Sequence, residues 1–122
     1  MRRFAFDTVL VALNAADVHR LSFIQTVLPE AVRRGVGVIG MKVCAQGKLL
    51  GRGNLTMAEA IGFALSLPGV CTVVVGCKTP AEVDKNARIV REFLPFDEAR
   101  LSSLQERTRA NAEAFTYYKR GT

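Results

Sequence analysis

Histidine is almost missing from this 122-residue chain, where His19 is the single copy. Beside Asp17, on a loop or helix start, this histidine is expected at the surface or as a cap rather than in catalysis. Cysteine is nearly as scarce: Cys44, Cys71 and Cys77 are odd in number and form no CxxC or CxxH pair. That excludes a disulfide framework and a zinc site, and suits a reducing cytosol. Each cysteine is expected to behave as a small buried hydrophobe. Long apolar runs are lacking too, because the stretch after the basic start is broken by Asp7, Asn14, Asp17 and His19. No signal peptide or membrane span is expected, and the chain is placed in the cytoplasm. Aromatic residues make up only 7% and are not interleaved with the basic ones. The net charge of +6 is scattered, with no run of Lys and Arg beyond two. A nucleic-acid interface is therefore not expected. Most of the charge is solvated surface, of which one or two cations would suffice for a phosphate-bearing cofactor. The loop from Gly40 to Gly53 matches neither GxGxxG nor the P-loop, no serine lies in a GxSxG, and no acid/base set can be assembled.

What is present is an ordinary globular composition, 49% hydrophobic and 23% charged, in a length that suits one domain over residues 1–122. Three β-branched apolar runs, Thr8–Leu13, Val36–Met41 and Cys71–Val75, show no alternation. They predict parallel strands buried on both faces. Between them Leu21, Ile24, Val27 and Leu28 recur at helical spacing, and Pro29 begins a second turn that Gly35 closes after Arg33 and Arg34. Thr56 and Glu59 predict a capping box for a helix ending at Pro68-Gly69. Thr79, Pro80 and Glu82 predict the start of another, with Val83, Ala87 and Val90 as its apolar stripe. A last helix opens at Asp97 and runs to about Phe115. The order β-α-β-α-β-α-α defines an α/β fold with right-handed crossovers, either a partial TIM-type (β/α)8 barrel or a small three-layer sheet.

Two junctions could carry chemistry. In Val75-Gly76-Cys77-Lys78-Thr79-Pro80 a strand ends in a sharp turn at a helix N-terminus flanked by a cation. This composition fits an anion site, but a plain βα connection with a good cap, the commonest connection in α/β folds, is the reading these residues alone favour. The second, Gly40 to Gly53, is long for a βα loop and carries Lys42, Lys48 and Arg52 among its glycines. Ligand loop and plain flexible loop fit it alike. Tyr117 and Tyr118, beside Lys119, are expected to dock or pack rather than to transfer protons.

Taken together, these segments resemble the last three βα units of aldo/keto reductases. Phe6–Asn14 resembles the sixth strand, Gly35–Lys42 the seventh, and Val73-Val74-Val75-Gly76 with Thr79, Pro80 and Asn86 the eighth. The Gly-x-Lys-Thr-Pro-x-Glu-Val-x-x-Asn-Ala pattern is the most specific of the three, and the likeness runs from about Phe6 to Leu104. It implies a carbonyl/alcohol oxidoreductase using NADP or NAD. It also implies cofactor contacts at Asn14, Met41, Lys42, Gln46, Gly47, Gly76, Cys77, Lys78, Thr79, Glu82 and Asn86.

The departures are specific. Leu10 stands where many members have Gln, Met41 replaces an aromatic ring, Glu82 replaces an Arg that grips the 2′-phosphate, and Lys85 replaces an acid. The family's Asp, Tyr, Lys and His tetrad belongs to the first half of the barrel and has no counterpart here, so the chain is expected to be inactive alone. A three-strand barrel piece leaves two strand edges and an apolar inner face exposed, which implies a homo-oligomer or a complementing N-terminal fragment. A non-catalytic nucleotide-binding or protein-interaction α/β module is the alternative.

Overall fold

The computed structural model describes residues 1–51 and 53–120, so Arg52 lies outside the described residues. Strands β1 (Thr8–Ala12), β2 (Gly37–Met41) and β3 (Val70–Val73) form one parallel sheet in the order β1-β2-β3. Helices α1 (Phe23–Thr26), α2 (Leu28–Arg34), α3 (Met57–Leu65), α4 (Pro80–Arg91), α5 (Glu98–Arg107) and α6 (Ala112–Phe115) follow in chain order. The predicted alternation is therefore present, with the first helical segment split in two.

Local chemistry explains the boundaries. Thr56 Oγ1 accepts from Glu59 N while the Glu59 carboxylate accepts from Thr56 N, so the capping box closes both ways. Thr79 and Asp97 cap α4 and α5 by accepting from Glu82 N and Arg100 N. Gly35 takes φ 68° at the end of α2, a left-handed cap that glycine adopts without penalty.

Four expectations need correction. Leu21 does not join a helical stripe: its φ is 43°, it is exposed, and Ser22 caps α1 just after it. The last helix stops at Arg107, because the Thr108 hydroxyl turns inward to the carbonyls of Ala15 and Gln105. Val83 and Val90 of α4 face solvent, on a helix whose main neighbour is α3. The cysteines are not uniformly buried: Cys71 and Cys77 are exposed and Cys44 is half-buried.

The sheet is also not buried on both faces. Helices α2, α3 and α5 cover one face, where Val11, Leu13, Val38, Ala31, Phe63 and Leu104 make a continuous core. On the other face Leu10 pairs in register with Ile39 and Ile39 with Thr72. There Leu10 is 53% and Val74 52% exposed. Their apolar character fits a sheet designed for cover on both sides, and this chain supplies one.

Packing between α3 and the segment entering α5 leaves no spare volume. A Cβ at Gly62 would meet the Phe96 ring at 2.3 Å. Phe96 is fixed in turn by its N–H to Ser66 Oγ at 2.9 Å. Gly62→Ala gains roughly 1 kcal/mol of helix propensity, and overpacking at so short an approach falls in the upper part of the usual range, roughly 2–3 kcal/mol. The expected net is a loss of about 1–2 kcal/mol, read as a lower urea midpoint at unchanged slope. A variant as stable as the parent would mean that Phe96 has room to move.

Candidate functional site

The connection from β2 to α3 leaves the strand in an unusual way. Lys42, Ala45 and Gln46 adopt left-handed φ values of 52°, 50° and 57°. For residues with a Cβ each such conformation costs about 1–2 kcal/mol and persists only where neighbours impose it. Here Asn14 Nδ2 donates to the Lys42 carbonyl at 3.1 Å. Ala45 N bonds back to Lys42 O, and Gly47 N and Leu49 N both bond to Cys44 O. Ala45 and Leu49 are fully buried, whereas Gln46, Gly47 and Lys48 are exposed. The loop thus has a packed inner side and a free outer rim.

The junction between β3 and α4 is a turn at a helix N-terminus, as the sequence suggested. Two of its backbone amides are already engaged. The Glu82 carboxylate accepts from Lys78 N at 2.6 Å, and Glu82 N donates to Thr79 Oγ1 at 3.2 Å. An acid in the first turn suits the positive end of the helix. Asn86 Nδ2 points at Cys77 Sγ, 3.3 Å away, tying the turn to the second turn of α4. Lys78 is exposed and makes no ion pair among the described residues.

These two segments face each other across a cavity of 1230 Å³. Met41, Lys42, Gln46 and Gly47 line one side; Gly76, Cys77, Lys78, Glu82 and Asn86 line the other. Of the residues singled out in the sequence, Asn14 and Thr79 do not reach it. Thr79 spends its hydroxyl on the α4 cap. Asn14 is fully buried, its Oδ1 accepting from Ala16 N and its Nδ2 donating to Lys42 O and to the Tyr118 hydroxyl. Sequence reasoning missed the apolar lining from Leu50, Leu55, Met57, Val74 and Val75, and did not place Lys85, the third cation of the lining after Lys42 and Lys78, at the site. Only Val74 and Val75 carried a signal, as strand residues ending at the turn. Among the described residues no group of three or more His, Cys, Asp and Glu could hold a metal, and no helix is long and apolar enough to cross a membrane.

Behind the first loop lies the C-terminal segment. Phe115 and Tyr117 pack on Ala16, Ala45 and Leu49. The Lys48 ammonium sits 4.2 Å from the Tyr117 ring centroid, and that of Lys42 5.9 Å. Lys119 is buried, with Nζ 2.6 Å from Asp17 Oδ1 and in contact with the carbonyls of Asp17, Arg20 and Leu21. His19 Nε2 reaches Gln105 O and Thr108 Oγ1, which fastens the end of α5 to the loop after β1.

No protein-family model and no curated protein matches the chain. Among solved structures, an aldo-keto reductase from Bacillus halodurans in its holo form superposes with a TM-score of 0.67 at 18% sequence identity. The match covers 87% of this chain and 44% of that one, so the chain spans less than half the length of the protein it matches. The fold is that of part of an aldo-keto reductase barrel: parallel strands of a TIM-type (β/α)8 architecture with helices on the outer face.

The tyrosine in contact with Asn14 gives the docked C-terminal segment a measurable alkaline limit. Burial, less the effect of the Asn14 hydrogen bond, pushes the Tyr118 phenol up from 10.0 to about 12, with the charge of Asp17 and Tyr117 adding to the rise. A raised phenol means that the folded state favours the neutral form. That stability is fully present below pH 10 and is lost as pH rises through about 12. Phenolate absorbance followed against pH should show a late phase near 12 that Tyr118→Phe removes. A late phase surviving in that variant would assign it elsewhere.

Proposed function

We propose that the chain is the dinucleotide-binding part of an aldo-keto reductase-type oxidoreductase that acts in the cytoplasm, and that residues 1–122 form one domain unable to reduce carbonyls by itself. The observation that carries this reading is the cavity between the two loops, in which a strained, lysine-bearing turn faces a helix N-terminus. The fold match to a holo aldo-keto reductase supports it. The three free cysteines suit a reducing compartment.

The residues fit an extended diphosphate ligand of the NADP or NAD class. On this reading Lys42, Gln46 and Gly47 would hold the pyrophosphate and Met41 would contact the nicotinamide. The turn from Gly76 to Lys78, with Glu82 and Asn86, would hold the adenosine end. Asn14 acts indirectly, by fixing the Lys42 backbone, and Thr79 acts by capping α4. The dinucleotide, when bound, would supply the hydride chemistry of carbonyl and alcohol interconversion. This chain's part is to bind and orient the dinucleotide. The proton donor comes from the other strands of the barrel, because no residue here matches the family's tetrad. The bare sheet face with Leu10 and Val74, and the open edges of β1 and β3, are where those strands belong. A complementing N-terminal fragment, or further copies of the chain, would cover them.

Titrating NADP and NAD by calorimetry against the chain and its variants tests this. Removing a charge-assisted phosphate contact is worth about 1.5–3 kcal/mol, so Lys78→Ala should weaken NADP binding roughly ten- to a hundred-fold and NAD binding much less. Glu82→Arg should strengthen NADP selectively, since the carboxylate that occupies the Lys78 amide also repels the 2′-phosphate. The unaided chain should show no NADPH-dependent reduction of simple aldehydes. Turnover comparable to an intact reductase would sink the last claim. Absence of binding to either dinucleotide would leave the interaction-module reading in its place.

A further inference from the structure

The left-handed backbone of the loop after β2 needs an enforcer, and the sequence of that loop provides none. Glycine and asparagine are the residues that tolerate such φ values, yet Lys42, Ala45 and Gln46 hold them here. The loop's inner side touches the C-terminal segment through three separate side chains. Phe115 and Tyr117 pack on the buried Ala45 and Leu49. The Tyr117 ring lies under the ammonium groups of Lys48 and Lys42. The Tyr118 hydroxyl accepts one Asn14 hydrogen while the other goes to Lys42 O, so Asn14 links the segment to the first left-handed residue. The segment is itself anchored out of reach of solvent by Lys119 on Asp17.

From these contacts we infer that the C-terminal segment is a brace for the dinucleotide loop: Tyr117 and Tyr118 are positioning residues that impose the strained backbone of residues 42–49 and so preset it for phosphate. The inference rests on the dinucleotide reading for its purpose, but the bracing is testable without it. A strained turn held from behind presents Gln46, Gly47 and its lysines in one arrangement. Released, it would relax to right-handed φ values and turn Gln46 and Gly47 away from the cavity.

The experiment uses the full chain and two variants, Tyr117→Ala and the milder Tyr118→Phe, which keeps the ring and removes only the hydroxyl. Hydrogen exchange is followed at Ala45, Gly47 and Leu49, whose N–H groups close the loop on Lys42 O and Cys44 O. With bracing, these amides exchange at least about tenfold faster in Tyr117→Ala, and to a lesser degree in Tyr118→Phe, while β2 is unchanged. Loop exchange unaltered in both variants, or acceleration spread evenly over β2 and α3, overturns the brace. NADP titration supplies the second arm, in the parent, in Tyr117→Ala and in Tyr117→Ala with Ala45→Gly. Glycine removes the penalty at one strained residue, so it should recover a substantial part of the affinity lost with the ring. A purely structural loss at Tyr117 would not be recovered by loosening the backbone further, and that result also overturns the proposal. If the parent binds no dinucleotide, the functional reading fails, and the exchange data alone decide the brace.

Discussion

Asp17 gathers more of the molecule around one carboxylate than any other side chain described above. It accepts from the Ser22 hydroxyl and from the backbone N–H groups of Phe23 and Ile24, which starts α1, and from the Lys119 ammonium 102 residues on. Both partners of the ion pair are withdrawn from water, the side chains being 1% and 0% exposed. A buried pair adds little over apolar replacements, but losing one partner strands a charge and costs roughly 3–5 kcal/mol. Its worth is therefore in specificity: it determines which segment lies against the loop after β1. Everything behind the candidate site follows from that placement, including the tyrosines on the loop after β2 and the commitment of Asn14.

The parts legible in the sequence were those written locally. Thr56 with Glu59, and Thr79 with Pro80 and Glu82, marked helix starts to the residue, because a cap is a bond between neighbours three positions apart. Strand positions were legible for the same reason, being short runs of β-branched residues bounded by turns. Burial was not legible in the same way. An unbroken apolar strand states what the sheet is shaped to receive on each face, and Leu10 and Val74 remain exposed because this chain does not itself bring the second layer. The apolar stripe of α4 was misjudged for the same reason.

The candidate site divides along the same line. Both loops could be singled out by composition and position, and the structure brings their residues to one cavity. Strain at Ala45 and Gln46 carried no sequence signal, since neither residue type favours left-handed backbone. The C-terminal contacts were equally hidden: Asn14 to Tyr118 and Asp17 to Lys119 span more than a hundred positions, and no spacing rule reaches so far. Glu82 is the intermediate case. Its place in the first turn was predictable, but its grip on the Lys78 amide is a matter of side-chain direction.

The two rims of the sheet are not equivalent. β1 pairs with β2 in unbroken register from Thr8 to Ala12, whereas β3 slips by one residue, Val38 facing Val70 and Ile39 facing Thr72, with Cys71 as the extra residue. A bulge bends and over-twists the strand that carries it and interrupts the row of backbone groups that a newcomer would need. A further strand would therefore meet an even ladder along β1 and a bent, more strongly twisted one along β3, so the two rims differ in the geometry they ask of a neighbour.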